Sequence, residues 1–373
     1  MSSLTITPQE QDEHDRNTDK NRLLFIGYNE KGKKFVGGTE SGILVCESNP
    51  FMEIAMRKFP DGGIGFVEII NEKESIVALV GGGSHPAFEL NIIKFYNYST
   101  KKLTGQIICR QKVVSLKSRD QYCIRGAILN ESPFATYKTS PNPKGLMSFV
   151  RDKMGSKCIL AFPDEKKGCI RIINLSTTST NKILKDHAFV AHEGSLHAIT
   201  CNSLGSLVAS ASDNGTLLKL FDTQSGRKLH EFRRGKKKST IHSIAISHDD
   251  TYVCCVSSST LHVFSVKEDS VPQEAETNNA STPNSYASFF TKTGSSLIGA
   301  GYDVFNYCTN RGNRSRFKYH GIDSPSICTF MEKTNHKINV VTSEGIMLEL
   351  EFDYSKDIEE PHTSTQNVFH VQK

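Results

Sequence analysis

Tryptophan is absent from this chain of 373 residues, although 21 phenylalanines and 11 tyrosines supply aromatic rings. The ten cysteines include no CxxC pair, which argues against a structural zinc site, because such sites need paired ligands at short spacing. No apolar run approaches the ~20 residues of a membrane-spanning helix. Most cysteines lie in or beside apolar runs, as reduced core thiols of a cytosolic protein do. We expect no metal and no cofactor.

The net charge and the composition of the two termini exclude further classes of protein. The net charge of +5 and the pI near 8.6 are too small to indicate a nucleic-acid binder. Residues 1–20 are polar and acid-rich, and they lack the basic start and apolar stretch of a signal peptide. We expect a disordered N-terminal tail over residues 1–20 and a C-terminal tail over residues 356–373.

A pattern of alternating apolar residues that ends in a polar turn recurs along the chain, as half-buried strands do. It occurs in SGILVCES from Ser41, NIIKFYNYS from Asn91, GCIRIINLS from Gly168, GTLLKLFDT from Gly215, STLHVFSV from Ser259 and EGIMLELEF from Glu344. Gly168 and Gly215 are 47 residues apart, and propeller blades repeat every ~40–50 residues. A weaker unit near QYCIRGAIL fills the longest early gap. DNGTLLKLFD resembles a WD-type blade ending with Phe221 in place of the usual Trp, and we expect Phe221 to be a core aromatic residue between blades. The sequence therefore predicts an all-β, seven-bladed, WD40-like β-propeller over residues 21–355.

The segment from Arg227 to Lys238 concentrates positive charge, with seven Lys or Arg among twelve residues. Its register predicts a strand over residues 228–232 that opens or closes a blade. Because neighbouring side chains on a strand point to opposite faces, Arg233 and Arg234 would serve two pockets on either side of a blade edge. Gly235 permits a sharp turn after them. The alternative is that the arginines cap carbonyls and the lysines face solvent.

Several stretches in order along the chain carry a family resemblance. These are GYNEKGKKFVGGTESGILV, GGIGFVEII, ALVGGGSHP, NPKGL, LAFPDEKKGCIRI, AHEGSLHAITCNSLGSLVASASDNGTL and FRRG. The chain resembles the PROPPIN or WIPI family, the seven-bladed propellers of autophagy. The resemblance implies a cytoplasmic protein, peripheral on preautophagosomal, endosomal or vacuolar membranes, that binds PtdIns3P and PtdIns(3,5)P2. It further implies recruitment of autophagy proteins, including the pathway's large lipid-transfer protein, and we expect a monomer in solution.

The resemblance also implies two phosphoinositide sites. The first would contain His192, Ser210, Ser212, Gly215, Thr216, Lys219 and Arg233, and the second Arg234, Gly235, Ser257, Thr260 and His262. Lys219 replaces a common arginine, keeping the charge without the bidentate geometry. SSSTLH is one residue shorter than the usual SDKGTLH, so Ser257 is an assignment by position. Arg, hydroxyl and backbone N–H donors suit a phosphate, and the alternative for His192 is a structural histidine bonded to backbone.

Residues 266–313 interrupt the repeat, with a polar, acidic first part and an aromatic second part. In the family, a long loop of the sixth blade dips into the bilayer at this place. The membrane-inserting residues would be Phe289, Phe290, Leu297, Ile298, Tyr302 and Phe305, followed by the basic NRGNRSRFK. Aromatic residues beside cations suit an interfacial anchor. The alternative is that these side chains pack on the propeller rim.

Three rival functions have weaker support. HEGSLH has one residue too many for the HExxH zinc motif, and GGGSHP lacks the setting of a nucleotide fingerprint, so we do not expect an enzyme. RNA binding would require aromatic residues interleaved with the basic run, and RRGKKKST has none. A WD-repeat scaffold without lipid binding is the main alternative. It predicts that charge reversal at Arg233 and Arg234 leaves membrane association intact.

Overall fold

The computed structural model describes residues 3–5, 22–29, 32–60, 62–71, 73–119, 122–125, 135–152, 154–178, 182–266, 317–322, 324–331, 334–352 and 362–367. Within these ranges every regular element is a β-strand. None of these ranges contains a helix that is long and apolar enough to cross a membrane.

Seven antiparallel sheets follow one another along the chain. Sheet 1 contains β1 (Ser3–Thr5), β2 (Leu23–Tyr28), β3 (Lys34–Thr39), β4 (Gly42–Ser48) and β5 (Phe51–Lys58). Sheet 2 contains β6 (Ile64–Asn71), β7 (Ile76–Gly81), β8 (Ile92–Asn97) and β9 (Lys102–Ile108), and sheet 3 contains β10 (Leu116–Arg119) and β11 (Tyr122–Arg125). Sheet 4 contains β12 (Ser148–Arg151), β13 (Lys157–Pro163), β14 (Cys169–Ser176) and β15 (Ile183–Val190).

The last three sheets have four strands each. Sheet 5 contains β16 (Leu196–Cys201), β17 (Leu207–Ser212), β18 (Leu217–Asp222) and β19 (Lys228–Arg233). Sheet 6 contains β20 (Ile241–Ile246), β21 (Tyr252–Ser257), β22 (Thr260–Ser265) and β23 (Phe317–His320). Sheet 7 contains β24 (Ser326–Met331), β25 (Thr334–Thr342), β26 (Ile346–Glu351) and β27 (His362–Asn367).

The sheets close into a ring through their innermost strands. In order, β2, β6, β10, β12, β16, β20 and β24 each contact the next, and β24 contacts β2. β1 pairs with β2 and also contacts β20 and β24, so it lies on the inner side of the ring. The predicted all-β propeller is therefore confirmed.

The predicted count of seven blades is not confirmed. The described residues form six blades of four or five strands, and the third place in the ring holds only the two strands of sheet 3. This is where the repeat is weakest in the sequence. Three prolines lie at positions 133, 141 and 143 just beyond β11, and proline cannot donate a hydrogen bond to a β-ladder.

The expected tails differ from the structure at both ends. β1 lies within the expected N-terminal tail and pairs Ser3 with Gly27, and β27 lies within the expected C-terminal tail and pairs His362 with Glu351. The prediction of tails was therefore wrong for residues 3–5 and 362–367. Ladder pairing uses backbone groups, so it can include polar segments that show little apolar alternation. The rest of both tails lies outside the described residues.

The predicted membrane loop also lies outside the described residues. β22 ends at Ser265 and β23 begins at Phe317, both in sheet 6. The long segment therefore connects the third and fourth strands of that sheet. Phe289, Phe290, Leu297, Ile298, Tyr302 and Phe305 all belong to it, and their role stays a prediction.

The core lies between neighbouring sheets. Phe221, where a blade of this type usually has tryptophan, is 2% exposed, and its ring centroid lies 5.0 Å from that of Phe189 in sheet 4. This confirms the predicted aromatic residue between blades. Eight of the cysteines in the described ranges are buried, as the core thiols that the sequence predicted should be.

A buried ion pair joins the incomplete sheet 3 to sheet 2. Lys117 on β10 is 1% exposed, and its Nζ donates to Glu68 Oε2 on β6 at 2.9 Å. Next to Lys117, Leu116 is fully buried in the same cluster as Phe66 and Val67. The pair and this apolar contact hold sheet 3 in the ring.

We expect Glu68→Gln to lower the free energy of unfolding by about 3–5 kcal/mol, because it leaves a buried ammonium uncompensated. The double variant Glu68→Gln plus Lys117→Met should recover most of the loss, since no charge then remains buried. Urea denaturation of the native protein and both variants measures this. A single variant within about 1 kcal/mol of the native protein would contradict the role of the pair.

Candidate functional site

The two arginines of the basic segment follow directly from the last strand of sheet 5. β19 ends at Arg233, which pairs with Leu217 across the ladder, and Arg234 N donates to Thr216 O at 2.9 Å one residue later. The predicted strand over residues 228–232 is therefore confirmed, and it closes a blade. Pairing with Leu217 and Thr216 therefore fixes the backbone of both arginines.

Their side chains belong to opposite faces of sheet 5. Phe232 is buried, and its ring centroid lies 5.2 Å from that of Phe264 in sheet 6. Alternation along the strand places Arg234 on this same side and Arg233 on the side of Glu231. Arg233 is exposed and Arg234 is half-buried.

The first cluster lies between sheets 4 and 5. His192 Nε2 is 3.0 Å from Ser210 Oγ, and both residues are buried. Ser210 pairs with Lys219 in the ladder, and Lys219 Nζ donates to Ala191 O at 3.1 Å. Lys219 in turn pairs with Glu231, and their charged groups are 3.8 Å apart. A histidine, a hydroxyl and an ammonium thus meet on the face that carries Arg233.

Burial, with a smaller contribution from Lys219, lowers the pKa of His192 to about 4. The imidazole is therefore neutral at pH 7, and the positive charge of this cluster comes from Lys219 and Arg233. His192 Nε2 contacts a side-chain hydroxyl, and a backbone hydrogen bond with Ser210 partly offsets the lowering of the His192 pKa. The alternative of a histidine bonded to backbone is therefore met in part.

The turn between β17 and β18 closes this cluster. Gly215 N donates to Ser212 O at 2.9 Å, and Gly215 has a φ of +59°. A Cβ there would lie 1.8 Å from Ser239 O, so only glycine fits. Ser212 and Thr216 are half-buried on either side of the glycine. All seven residues predicted for the first site therefore lie at one end of sheet 5.

The second cluster lies in sheet 6, on the side that faces Arg234. Ser257 Oγ is 2.8 Å from Thr260 Oγ1, and Thr260 Oγ1 is 3.0 Å from His262 Nε2. All three residues are buried. Only Ser258 and Ser259 connect the two strands, and this short turn still brings Ser257 to Thr260.

Burial, followed by the charges of Lys318, Arg234 and His320, lowers the pKa of His262 to about 3. Lys318 and His320 pair with His262 and Thr260 across β22 and β23. Sequence reasoning missed both residues, although alternation in RFKYHG gave the signal that could have found them. In the described ranges, the buried Nδ1 of His262 has no hydrogen-bond partner.

Arg234 partly fulfils the carbonyl-capping alternative. Its Nε donates to Gly215 O at 2.6 Å, and its Nη2 donates to Lys237 O. The three lysines after it are exposed, as that alternative expected. Gly235 has no positive φ and open space around its Cα, so the turn does not require glycine there.

The described residues contain no group of three or more His, Cys, Asp or Glu that could hold a metal ion. What the two clusters offer instead are hydroxyls, neutral imidazoles and the cations Lys219, Arg233 and Arg234. Such donors can bind an anionic oxygen.

Comparisons with known proteins give this arrangement a family context. The family model described as PROPPIN matches residues 91–347. An SVP1-like protein 2 of Neurospora crassa is 29% identical over 65% of this chain and 56% of its own length. An autophagy-related protein 18 of Emericella nidulans is 28% identical over 70% of this chain and 64% of its own length. The match thus spans less than two thirds of either relative.

Solved structures share the fold. Hsv2 of Kluyveromyces lactis, in a structure with a complete loop 6CD, has a TM-score of 0.66 at 17% identity, covering 93% of this chain and 99% of that one. KlAtg21 in complex with the coiled-coil of AgAtg16 has a TM-score of 0.65 at 16% identity, covering 93% of this chain and 100% of that one. These likenesses show the propeller fold.

Because His192 and His262 are buried, we expect the protein to become less stable as the pH decreases. An unfolded histidine binds a proton near pH 6.5, whereas folded His192 and His262 bind one only near pH 4 and pH 3. Between these values the unfolded chain holds more protons, so the free energy of unfolding drops as the pH falls below about 6.5. We expect a loss of about 2 kcal/mol for each histidine at pH 5 relative to pH 8.

Urea denaturation at both pH values measures this loss. His192→Gln should reduce the pH dependence by one histidine's share, and His85→Gln, at an exposed histidine, is the matched control. Equal pH dependence in His192→Gln and the native protein would contradict the assignment.

Proposed function

Because this chain belongs to the PROPPIN family, we propose that it is a phosphoinositide effector rather than an enzyme. It binds PtdIns3P and PtdIns(3,5)P2 through one site on each side of β19. The first site takes a headgroup at His192, Ser210, Ser212, Gly215, Thr216, Lys219 and Arg233. The second takes one at Arg234, Gly235, Ser257, Thr260 and His262.

One observation carries this proposal. Adjacent arginines at the end of one strand lie on opposite faces, and on each face a buried histidine contacts a buried hydroxyl. The His192–Ser210 and His262–Thr260 distances are both 3.0 Å. A single anion site would not need this duplication, whereas two headgroup sites would.

The chemistry of each cluster suits a phosphate monoester. A guanidinium offers a planar pair of N–H donors, and hydroxyls and neutral imidazoles add donors without the cost of burying further charge. Lys219 supplies a point charge to the first site. Arg234 already points its donors at carbonyl oxygens, so a phosphate oxygen can replace an acceptor that is in place.

Two weak sites on one protein strengthen membrane binding, because the second contact forms at a high effective concentration. The aromatic segment between β22 and β23, with Phe289, Phe290, Leu297, Ile298, Tyr302 and Phe305, adds an interfacial anchor. Binding is therefore reversible and peripheral. The membranes are preautophagosomal, endosomal and vacuolar, and the unbound protein is a cytoplasmic monomer.

The membrane-bound protein recruits other autophagy proteins. A relative carries the name autophagy-related protein 18, and a protein of the same fold was solved with a coiled-coil of AgAtg16. These names support a coiled-coil protein as one proposed partner. The large lipid-transfer protein of the pathway is a second proposed partner, which rests on the family resemblance of the sequence alone.

A second candidate function is a protein scaffold that binds no lipid. It is favoured by exposed apolar side chains on outer strands, where Met52 is 52% and Val190 is 63% exposed. Such edges suit contact with protein partners. The two functions differ in whether the arginines matter for membrane association.

Liposome flotation with PtdIns3P separates them. We expect Arg233→Gln and Arg234→Gln each to weaken binding by about tenfold to a hundredfold, because each removes charge-assisted hydrogen bonds of about 1.5–3 kcal/mol. The double variant should lose binding.

Arg227→Gln is the matched control, because it removes the same charge from an exposed arginine just before the opposite end of β19. It should bind like the native protein. A folded double variant that still floats with the liposomes would sink the lipid-effector proposal and favour the scaffold. An equal loss in the Arg227→Gln control would reduce the effect to net charge.

A further inference from the structure

Two histidines that no function above uses lie in β-bulges at corresponding places of neighbouring sheets. In sheet 5, Leu196 and Ala198 pair with consecutive residues of β17, which leaves His197 outside the ladder. In sheet 6, Ile241 and Ser243 pair with consecutive residues of β21, which leaves His242 outside. A bulge redirects the side chain of its extra residue.

The propeller itself does not require histidine at this place. Sheets 1 and 2 carry the same bulge in their innermost strands, between Leu23 and Phe25 and between Ile64 and Phe66. The extra residues there are Leu24 and Gly65. The fold therefore does not require the histidines at the bulges of β16 and β20.

A lysine from a third sheet joins them. Lys144 precedes β12, and its Nζ lies 2.7 Å from His197 Nε2. Its turn is fixed by Asn142, whose Oδ1 accepts from Leu146 N at 2.7 Å and whose Nδ2 donates to Leu146 O at 3.1 Å. Within the described residues, Lys144 Nζ makes no hydrogen bond besides the one with His197. Its remaining N–H groups can therefore donate to a ligand.

The charges around the cluster are mainly positive. Burial and then Lys144 lower the pKa of His197, with Lys238 adding to this and Asp213 opposing it. Burial, then Lys144 and His197, lower the pKa of His242 to about 4. Burial also lowers the pKa of Lys144. Lys144 thus disfavours the charged forms of both histidines, and His197 disfavours that of His242, whereas an anion would favour them.

We propose that Lys144, His197 and His242 form a third phosphate-binding site, close to the propeller axis and separate from the clusters at Arg233 and Arg234. The innermost strands β16 and β20 and the turn before β12 bring the three side chains together. The ligand is a phosphate ester or polyphosphate, either free in solution or as a lipid headgroup.

Binding at this site takes up protons. At pH 7 both imidazoles are neutral, and a bound phosphate favours imidazolium, which donates from both ring nitrogens. Asp213, from the turn after β17, and Lys238, from the segment before β20, face His197 with opposite effects. Affinity therefore rises as the pH falls from 7.5 to 5.5, by up to about tenfold per pH unit for each proton taken up.

Calorimetric titration with inorganic pyrophosphate at pH 6 tests the site. Every protein in this titration carries Arg233→Gln plus Arg234→Gln, which disables the proposed lipid sites. The variants add either Lys144→Met or the pair His197→Gln plus His242→Gln. We expect Lys144→Met and the histidine variant each to weaken binding by about tenfold or more. Adding His85→Gln instead, at an exposed histidine outside the proposed sites, should leave the affinity within about twofold of that of the arginine variant.

A second arm uses vesicles with PtdIns3P and the arginine variant. Pyrophosphate binding that depends on Lys144 assigns a soluble ligand, and vesicle binding alone that depends on Lys144 assigns a headgroup. Absence of binding in both arms, or binding that ignores Lys144 and both histidines, overturns the proposal. Because the arginine variant lacks the lipid sites, failure of the lipid function and failure of this site give different results.

Histidine NMR of the native protein covers the case in which a variant does not fold. With pyrophosphate, the signals of His197 and His242 should shift and titrate at a higher pH. If pyrophosphate binds the protein and the titration of both histidines stays unchanged, the proposal is overturned.

Discussion

Alternation of side chains along a β-strand is the constraint on which both proposed lipid sites depend. β19 is the last strand of sheet 5, so one of its faces belongs to the cluster of His192 and the other packs on sheet 6. Phe232 packs on sheet 6 through its contact with Phe264. The next two residues, Arg233 and Arg234, must then diverge. The four-residue motif FRRG thereby supplies one arginine to each of the two proposed sites.

Burial determines which side chains of the two clusters carry charge. His192 and His262 are desolvated and neutral, and each contacts a hydroxyl that is buried with it. Permanent positive charge is left to Lys219 and the arginines, which lie nearer to solvent. The two sites also start from different states. Arg233 is exposed, whereas Arg234 is held by Gly215 O and Lys237 O, so its site is better ordered before a ligand arrives.

Sequence patterns predicted the parts of the fold that repeat. Period-two alternation and blade spacing gave the propeller and the inter-blade position of Phe221, and strand register gave the divergence of Arg233 from Arg234. The strands β1 and β27 were missed, because backbone pairing can form where apolar alternation is weak. The weak unit predicted near QYCIRGAIL coincides with sheet 3, which has two strands within the described residues. Lys144 and His197 are 53 residues apart in the chain, and a bulge breaks the alternation that would have shown where His197 points. Contacts of this kind follow from the closed ring and not from any local pattern.

The central claim is that each arginine serves its own histidine. Histidine NMR during titration with a short-chain PtdIns3P tests it most directly. In the native protein, the signals of both His192 and His262 should shift. Arg233→Gln should suppress the shift at His192 and leave that at His262, and Arg234→Gln should do the reverse. Loss of both shifts in either single variant, or shifts that persist in both, would contradict two independent sites.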